Sequence, residues 1–96
     1  MELRHLDTLL AIAEEGSFTA AADALATVQS NVSDQVRQLE AELGVPLLLR
    51  SRRGAEPTEF GLVVLDRARR VHRELEAMRT DLALLQGLEE IGRAHV

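Results

Sequence analysis

The sequence predicts a mainly α-helical chain with one short β-hairpin. Apolar residues recur at intervals of three and four along three separate segments, which is the spacing of amphipathic helices. Only two of the 96 residues are aromatic while 46% are hydrophobic, so a core of Leu, Val and Ala is expected. Gly44 and Pro46 interrupt the helical pattern and Gly54 follows, so the hairpin is expected between residues 47 and 57.

Composition and spacing argue against several classes of protein. The chain has no Cys, which excludes disulfides and Cys-ligated metal sites. No apolar run approaches the ~18 residues that span a membrane, and Met1 is followed by charged residues rather than by the apolar stretch of a secretory signal. His5, His72 and His95 lack metal-ligand spacing, and there is no phosphate-binding glycine loop and no nucleophile–base set. We therefore expect a cytoplasmic protein that is not an enzyme and needs no cofactor.

The first helix is expected over residues 2–15. Its apolar face is formed by Leu3, Leu6, Leu9, Leu10, Ile12 and Ala13. Gly16 can adopt the left-handed conformation that commonly ends a helix. This helix should bury its apolar face against the two that follow and serve as scaffold.

Two helices joined by a tight turn come next. Ser17 is a good N-cap for a short helix from Phe18 to about Leu25, and its four alanines allow another helix to cross close to the backbone. Thr27 can cap a longer helix that runs to Leu43. Two helices separated by so short a turn, the second with an exposed polar face, are typical of a helix-turn-helix.

The longer helix has an apolar stripe opposite an unusual polar face. The stripe comprises Val28, Val32, Val36, Leu39 and Leu43. The polar face carries short or bidentate hydrogen-bonding groups, which let a helix enter the DNA major groove and bond to base edges. The candidate DNA-binding residues on this helix and just before it are Thr27, Gln29, Ser30, Asn31, Ser33, Asp34 and Arg37. A merely solvated face would show the same pattern, and spacing alone does not separate the two interpretations.

Positive charge is concentrated in the middle of the chain. Residues 1–45 hold two Arg and eight acidic residues, residues 46–73 seven Arg and three acidic residues, and residues 74–96 two Arg and five acidic residues. The segment charges are thus −6, +4 and −3, and the total is −5.

The basic segment contains the expected hairpin. Residues 47–50 and 55–57 are predicted to be strands, with Arg50, Arg52 and Arg53 at or near the tip. A solvated run of charges is the ordinary interpretation of such a cluster. Beside a helix that enters the major groove, however, a basic hairpin is expected to contact the DNA backbone or the minor groove.

A long last helix is expected to begin at Thr58, with Glu59 placed favourably for the helix dipole. Apolar residues then keep heptad spacing for three repeats, at Val64, Ala68, Val71, Leu75, Met78, Leu82 and Leu85. A helix over residues 58–86 would be ~43 Å long, too long for so small a domain to cover. The seven apolar residues form a seam along this helix, and we therefore expect the seam to meet another chain or domain. Burial of the seam inside the monomer is the alternative. Gly87 and Gly92 are expected to loosen the helix.

Several of these segments resemble the N-terminal DNA-binding region of the LysR-type transcriptional regulators. The similarity runs from the opening MELRHLDTLLAIAEEG to about residue 86, and its most specific pieces are SFTAAADAL, QSNVS, RQLEAELGVPLL and TEFG. Three positions depart from the family pattern: Ser30 stands where Pro is commonest, Val28 where Ser is frequent, and Asp34 where a basic or small residue is commoner.

The resemblance implies three regions: a winged helix-turn-helix in residues 1–57, a linker helix in 58–87, and a tail in 88–96 leading to an effector-binding domain outside this sequence. It implies a homodimer through antiparallel linker helices, with a tetramer as a further arrangement of the full-length protein. The implied function is sequence-specific binding of double-stranded DNA in transcriptional regulation, with a small-molecule effector bound only by the further domain. The alternative is a winged-helix dimerisation module whose polar face binds protein; only a DNA binder should lose affinity for duplex DNA steeply as salt rises.

Overall fold

The computed structural model describes residues 1–94, with side chains described for residues 1–89. Within that part the elements follow in the order α1 (Leu3–Glu15), α2 (Phe18–Ala24), α3 (Gln29–Leu43), β1 (Leu48–Ser51), β2 (Gly54–Pro57) and α4 (Glu59–Ala94). The strands form one antiparallel sheet. This arrangement confirms the predicted mainly α winged helix-turn-helix with a short two-stranded wing and a long C-terminal helix.

The helices begin and end at the local signals that the sequence carries. The Ser17 hydroxyl accepts a hydrogen bond at 3.1 Å from a backbone N–H in the first turn of α2, as an N-cap does. Gly16 (φ 83°) and Gly44 (φ 74°) end α1 and α3 in the left-handed conformation. The Thr58 hydroxyl accepts the backbone N–H of Gly61 at 3.0 Å, which confirms Thr58 as the cap of α4.

The start of α3 differs from the prediction. Val28, not Thr27, is the N-cap residue, and its side chain is 63% exposed although spacing placed it on the core stripe. The reason is its extended backbone (φ −104°, ψ 154°), since a residue outside the helix does not follow the helical wheel. The Thr27 hydroxyl instead accepts a hydrogen bond from the Asn31 side-chain amide at 3.0 Å. Leu43, at the other end of the stripe, is also exposed.

Two adjoining apolar clusters form the core. The first joins α1, α2, α3 and β2 through Ile12, Phe18, Ala21, Ala22, Val32, Val36 and Ala55. The second joins α1, α3, α4 and the segment before β1 through Leu9, Leu10, Leu39, Leu47, Leu65 and Ala68. The buried face of α1 is centred on Leu9 and Ile12, whereas Leu3, predicted on that face, is 40% exposed. Both clusters meet α3, so its orientation is fixed along most of its length.

The wing is a tight hairpin held against the α1–α2 turn. Arg52 and Arg53 form the two-residue turn between β1 and β2, and each strand begins within one residue of its predicted start. The backbone N–H of Ala55 donates to the carbonyl oxygen of Gly16 at 3.1 Å, and the Ala55 side chain is buried in the first core cluster. The wing therefore has a fixed position next to α2 and α3.

The last helix, α4, is longer than predicted. It continues through Gly87 and Gly92 to Ala94, and its 36 residues span ~54 Å. A helical Gly costs only about 1 kcal/mol relative to Ala, so isolated glycines among good helix formers such as Leu, Gln and Glu need not end a helix. Within residues 1–94, none of the helices combines the length and the apolar character that a membrane span requires.

The predicted seam of α4 divides into two parts. Ala68 is 0% exposed and Val64 is half-buried, both against the second core cluster. Ala68 therefore belongs to the monomer core and not to a surface open to another chain, because α1 covers this end of α4. Farther along, Met78, Leu82 and Leu85 are each more than half exposed. The part of α4 beyond the core thus presents apolar side chains to solvent.

Candidate nucleic-acid interface

The candidate interface is built on the outward face of α3. Val32, Val36 and Leu39 are buried and fix which side of the helix faces the core. Of the predicted DNA-binding residues on this helix, Ser33 is half-buried and the others are exposed, namely Gln29, Ser30, Asn31, Asp34 and Arg37. None of the predicted residues of this helix is buried in the core, and half-buried Thr27 lies in the turn just before it.

The leading end of this surface is ordered by short polar contacts. The Thr19 hydroxyl of α2 donates to the side-chain oxygen of Gln29 at 3.3 Å. The Thr27–Asn31 hydrogen bond spans the first turn of α3. Thr19 was not predicted from the sequence as part of the site. Its location one residue into the Ala-rich helix α2 gave no sign of the contact, since this depends on how α2 crosses α3.

An open hollow of about 520 Å³ lies between α3 and β1. It is lined by Phe18, Ser30, Ser33, Val36, Arg37, Glu40, Leu48 and Arg50. Two arginines predicted to bind DNA, one on the helix and one on the wing, therefore face the same space. The hollow opens on the side where the polar face of α3 lies.

Arg50 belongs to this hollow and not to the tip of the wing. Its Nη2 donates to the Ser33 hydroxyl oxygen at 2.9 Å. Its guanidinium carbon lies 3.9 Å from the centroid of the Phe18 ring, well within the ~6 Å range of a cation–π interaction. Arg52 and Arg53, by contrast, are exposed in the turn and do not line the hollow.

The charges around the hollow are unequally compensated. Arg37 forms an ion pair with Asp34 one turn earlier on α3. The Glu40 carboxylate accepts the backbone N–H groups of Leu47 at 2.6 Å and, at the limit of hydrogen bonding, Leu48 at 3.4 Å. Arg50 has a hydroxyl and an aromatic ring as its partners within the described residues, and both are neutral.

Phe18 and Glu40 were missed as parts of the site. Phe18 carried a weak signal, since it is one of only two aromatic residues and adjoins the N-cap of the shortest helix. Glu40 carried none, because a Glu on the polar side of a helix is ordinarily solvated. Both act through contacts with the wing that helical spacing does not reveal.

Two histidines have structural contacts. The Nδ1 atom of buried His5 accepts the backbone N–H of Glu2 at 3.0 Å at the start of α1. The Nε2 atom of His72 contacts the Asp7 carboxylate and so joins α4 to α1. No group of three or more His, Asp or Glu side chains suited to a metal ion occurs among the described residues. His95 lies outside them.

Comparisons with known proteins agree with this geometry. Residues 3–62 match the family model described as "Bacterial regulatory helix-turn-helix protein, lysR family". The HTH-type transcriptional regulator PtxR from Pseudomonas aeruginosa is 42% identical in sequence over all 96 residues of this chain. The matched region makes up 30% of the length of PtxR. The CbnR_DBD–DNA complex has a TM-score of 0.78 and 41% identity, with 91% of this chain and 99% of that one covered. The BenM_DBD/catB site 1 DNA complex has a TM-score of 0.82 and 38% identity, and the match covers 88% of this chain and 96% of that one.

Proposed function

Since this chain belongs to the lysR family of bacterial regulatory helix-turn-helix proteins, we propose that it binds double-stranded DNA sequence-specifically within a transcriptional regulator. The observation that carries the proposal is the single outward face of α3, whose short polar side chains stand beside a basic wing. The likeness to the DNA-binding domains of CbnR and BenM, both solved with DNA, supports it. A regulator of this kind acts without catalysis and, in a bacterial cell, in the cytoplasm.

The proposed mode of binding places α3 in the major groove. That groove is about 12 Å wide and admits one helix, whose side chains then reach the base edges. Ser30 and Ser33 are short enough for close approach, and the Arg37 guanidinium can bond to a guanine or to a phosphate. Arg52 and Arg53, exposed in the wing turn, would contact the backbone or the minor groove alongside.

The proposal includes a homodimer through α4. We propose that residues 1–57 bind DNA and that residues 58–87 join two chains. The exposed or half-buried seam residues that would pair are Val71, Leu75, Met78, Leu82 and Leu85, with Val64 at the edge. An exposed apolar stripe of this length favours a partner helix. A two-fold dimer would place two copies of α3 on two half-sites of the duplex.

The effector-binding region and the assembly of the full-length protein are proposed from family membership alone. The chain spans about a third of the length of curated relatives such as PtxR. A further C-terminal region would bind a small-molecule effector, and the full-length protein would form tetramers.

Selection of bound duplexes from a random-sequence pool tests the proposal. The chain is expected to enrich a pseudo-palindrome with two half-sites, and its affinity should fall steeply as salt rises. A matched selection with the Leu82→Asp variant, designed to be monomeric, should enrich single half-sites. If no sequence is enriched and the affinity for duplex DNA does not change with salt, the protein-interaction module is favoured instead.

A further inference from the structure

Arg50 is held between two elements that are distant in sequence. The guanidinium carbon of Arg50 lies 3.9 Å from the ring centroid of Phe18, which is in the first turn of α2. The Ser33 hydroxyl on α3 accepts a hydrogen bond from the Arg50 Nη2 at 2.9 Å. Phe18 is itself 92% buried within the first core cluster, so its ring has a fixed position. A long, flexible Arg side chain on a wing strand is thereby fixed beside the polar face of α3.

The neutral partners leave the Arg50 charge available to a ligand. An aromatic face and a hydroxyl orient the guanidinium without neutralising it, whereas Arg37 is paired with Asp34. A guanidinium has five N–H donors in a planar fork, and the Arg50 side chain is exposed. The remaining donors can therefore address an anion at the mouth of the hollow. The planar fork matches the geometry of a phosphate group.

We propose that Phe18 is a positioning residue for DNA binding, and that Arg50, held on its ring, binds a backbone phosphate beside α3 and not at the tip of the wing. This inference rests on the proposed DNA-binding function and names a contact within it. Phe18 does not touch DNA; it fixes where the Arg50 charge lies. The wing and α3 would then bind the duplex as one unit, because Arg50 joins them.

A salt titration on random-sequence duplex DNA tests the proposal with the 96-residue chain. Arg50→Ala should lower the slope of log affinity against log salt by about one, so that between 50 and 200 mM salt it loses about fourfold less affinity than the wild type. Phe18→Leu, which keeps an apolar side chain but removes the ring face, should lower the slope in the same direction. The double variant should show no further change beyond Arg50→Ala.

Leu9→Val is the matched control for lost packing. Leu9 is fully buried in the second core cluster, away from the Arg50 contacts, so its truncation should lower thermal stability and leave the salt slope at the wild-type value. If Phe18→Leu fails to fold, Phe18→Met provides a second test, since its unbranched, flexible side chain can fill an irregular core space without a ring. Circular dichroism establishes folding before each titration.

Several outcomes would overturn the inference. A wild-type slope in the folded Phe18 variant, or effects of Phe18→Leu and Arg50→Ala that add in the double variant, would remove the positioning role. Loss of preference at a single base pair in Arg50→Ala, without a uniform loss on all duplexes, would assign Arg50 to a base instead of a phosphate. Failure of the wild-type chain to bind any duplex would contradict the proposed function itself and is distinguishable from all of these.

Discussion

The Glu40 carboxylate accepts a hydrogen bond from the backbone N–H of Leu47 at 2.6 Å. Glu40 lies on α3, and Leu47 is the fully buried residue immediately before β1. The helix that presents the candidate DNA-binding face therefore also fixes the start of the wing. The bond lies beside the hollow that Arg50 enters, so the spacing of α3 and wing depends on it.

Removing this carboxylate should destabilise the fold. Glu40→Ala leaves the N–H of Leu47 without its acceptor, which should cost about 1–3 kcal/mol in the free energy of unfolding. Glu40→Gln keeps a side-chain oxygen and should cost less. Urea denaturation measures both variants against Glu42→Ala, whose exposed partner is the N-terminal amine and whose loss should cost about 0–1 kcal/mol. Equal stability of the Glu40→Ala and Glu42→Ala variants would contradict the structural role of Glu40.

Gly61 and Gly87 of α4 should respond to alanine with opposite signs. A Cβ at Gly61 would lie 2.1 Å from the carbonyl oxygen of Leu47, so Gly61→Ala must displace the wing or the helix, at a cost of about 1–3 kcal/mol. Nothing lies within 4 Å of a Cβ at Gly87, so Gly87→Ala should stabilise the helix by about 1 kcal/mol. Thermal unfolding measures both. Stabilisation by Gly61→Ala would mean that the close approach to Leu47 is absent.

Local signals predicted three of the helix boundaries, whereas the cap of α3 and the end of α4 differ from the prediction. Ser17, Gly16 and Thr58 satisfy hydrogen-bonding and dihedral requirements within a few residues of themselves, so the sequence alone locates them. Spacing failed at Val28 and Ala68 for a different reason. A helical wheel assumes that the residue is helical and does not say which element covers it; Val28 precedes its helix, and Ala68 is covered by α1.

The contacts within the candidate site were the least predictable part. The outward face of α3 follows from its buried stripe, and its polar residues could be named from spacing. The positions of Arg50 and Glu40 depend on how the wing folds back onto α2 and α3, and no periodicity within one helix records that packing.

The wing-turn arginines should supply affinity without sequence information. Arg52→Ala and Arg53→Ala should each weaken binding to specific and random duplexes alike, and lower the salt slope by about one for each lost phosphate contact. Arg79→Ala is the control, since Arg79 is exposed on α4 and pairs with Glu76. Fluorescence anisotropy at several salt concentrations measures the slopes. Unchanged slopes for both wing variants would show that the wing turn does not touch the backbone.

The exposed seam of α4 should hold the dimer. Leu82→Asp introduces a charge into a stripe that dimerisation would desolvate, at a cost of several kcal/mol if it is unpaired. Light scattering should then report a monomer, and circular dichroism should show that the protein remains helical. Leu84→Asp is the matched control, because Leu84 is exposed on the same helix but lies off the seam. A Leu82→Asp variant that stays dimeric, like the control, would place the interface elsewhere.

The Asp34–Arg37 ion pair makes the sharpest prediction about how α3 meets DNA. Both side chains are more than half exposed on the outward face, and the pair occupies a guanidinium that could otherwise bind the duplex. Asp34→Ala should therefore free Arg37, remove a negative charge from the approach of a polyanion, and strengthen binding to every duplex. In an Arg37→Ala background the same substitution should strengthen binding less, since only the repulsion is relieved.

A carboxylate that accepts a hydrogen bond from a cytosine amino group would behave differently. Asp34→Ala would then weaken only the best site, by about 1–3 kcal/mol, and erase the preference at one base pair. Affinities for selected and random duplexes, measured side by side in both backgrounds, separate these cases. If Asp34→Ala changes neither affinity nor preference, this face of α3 does not enter the groove, because a charge so close to bases and phosphates could not be removed without effect.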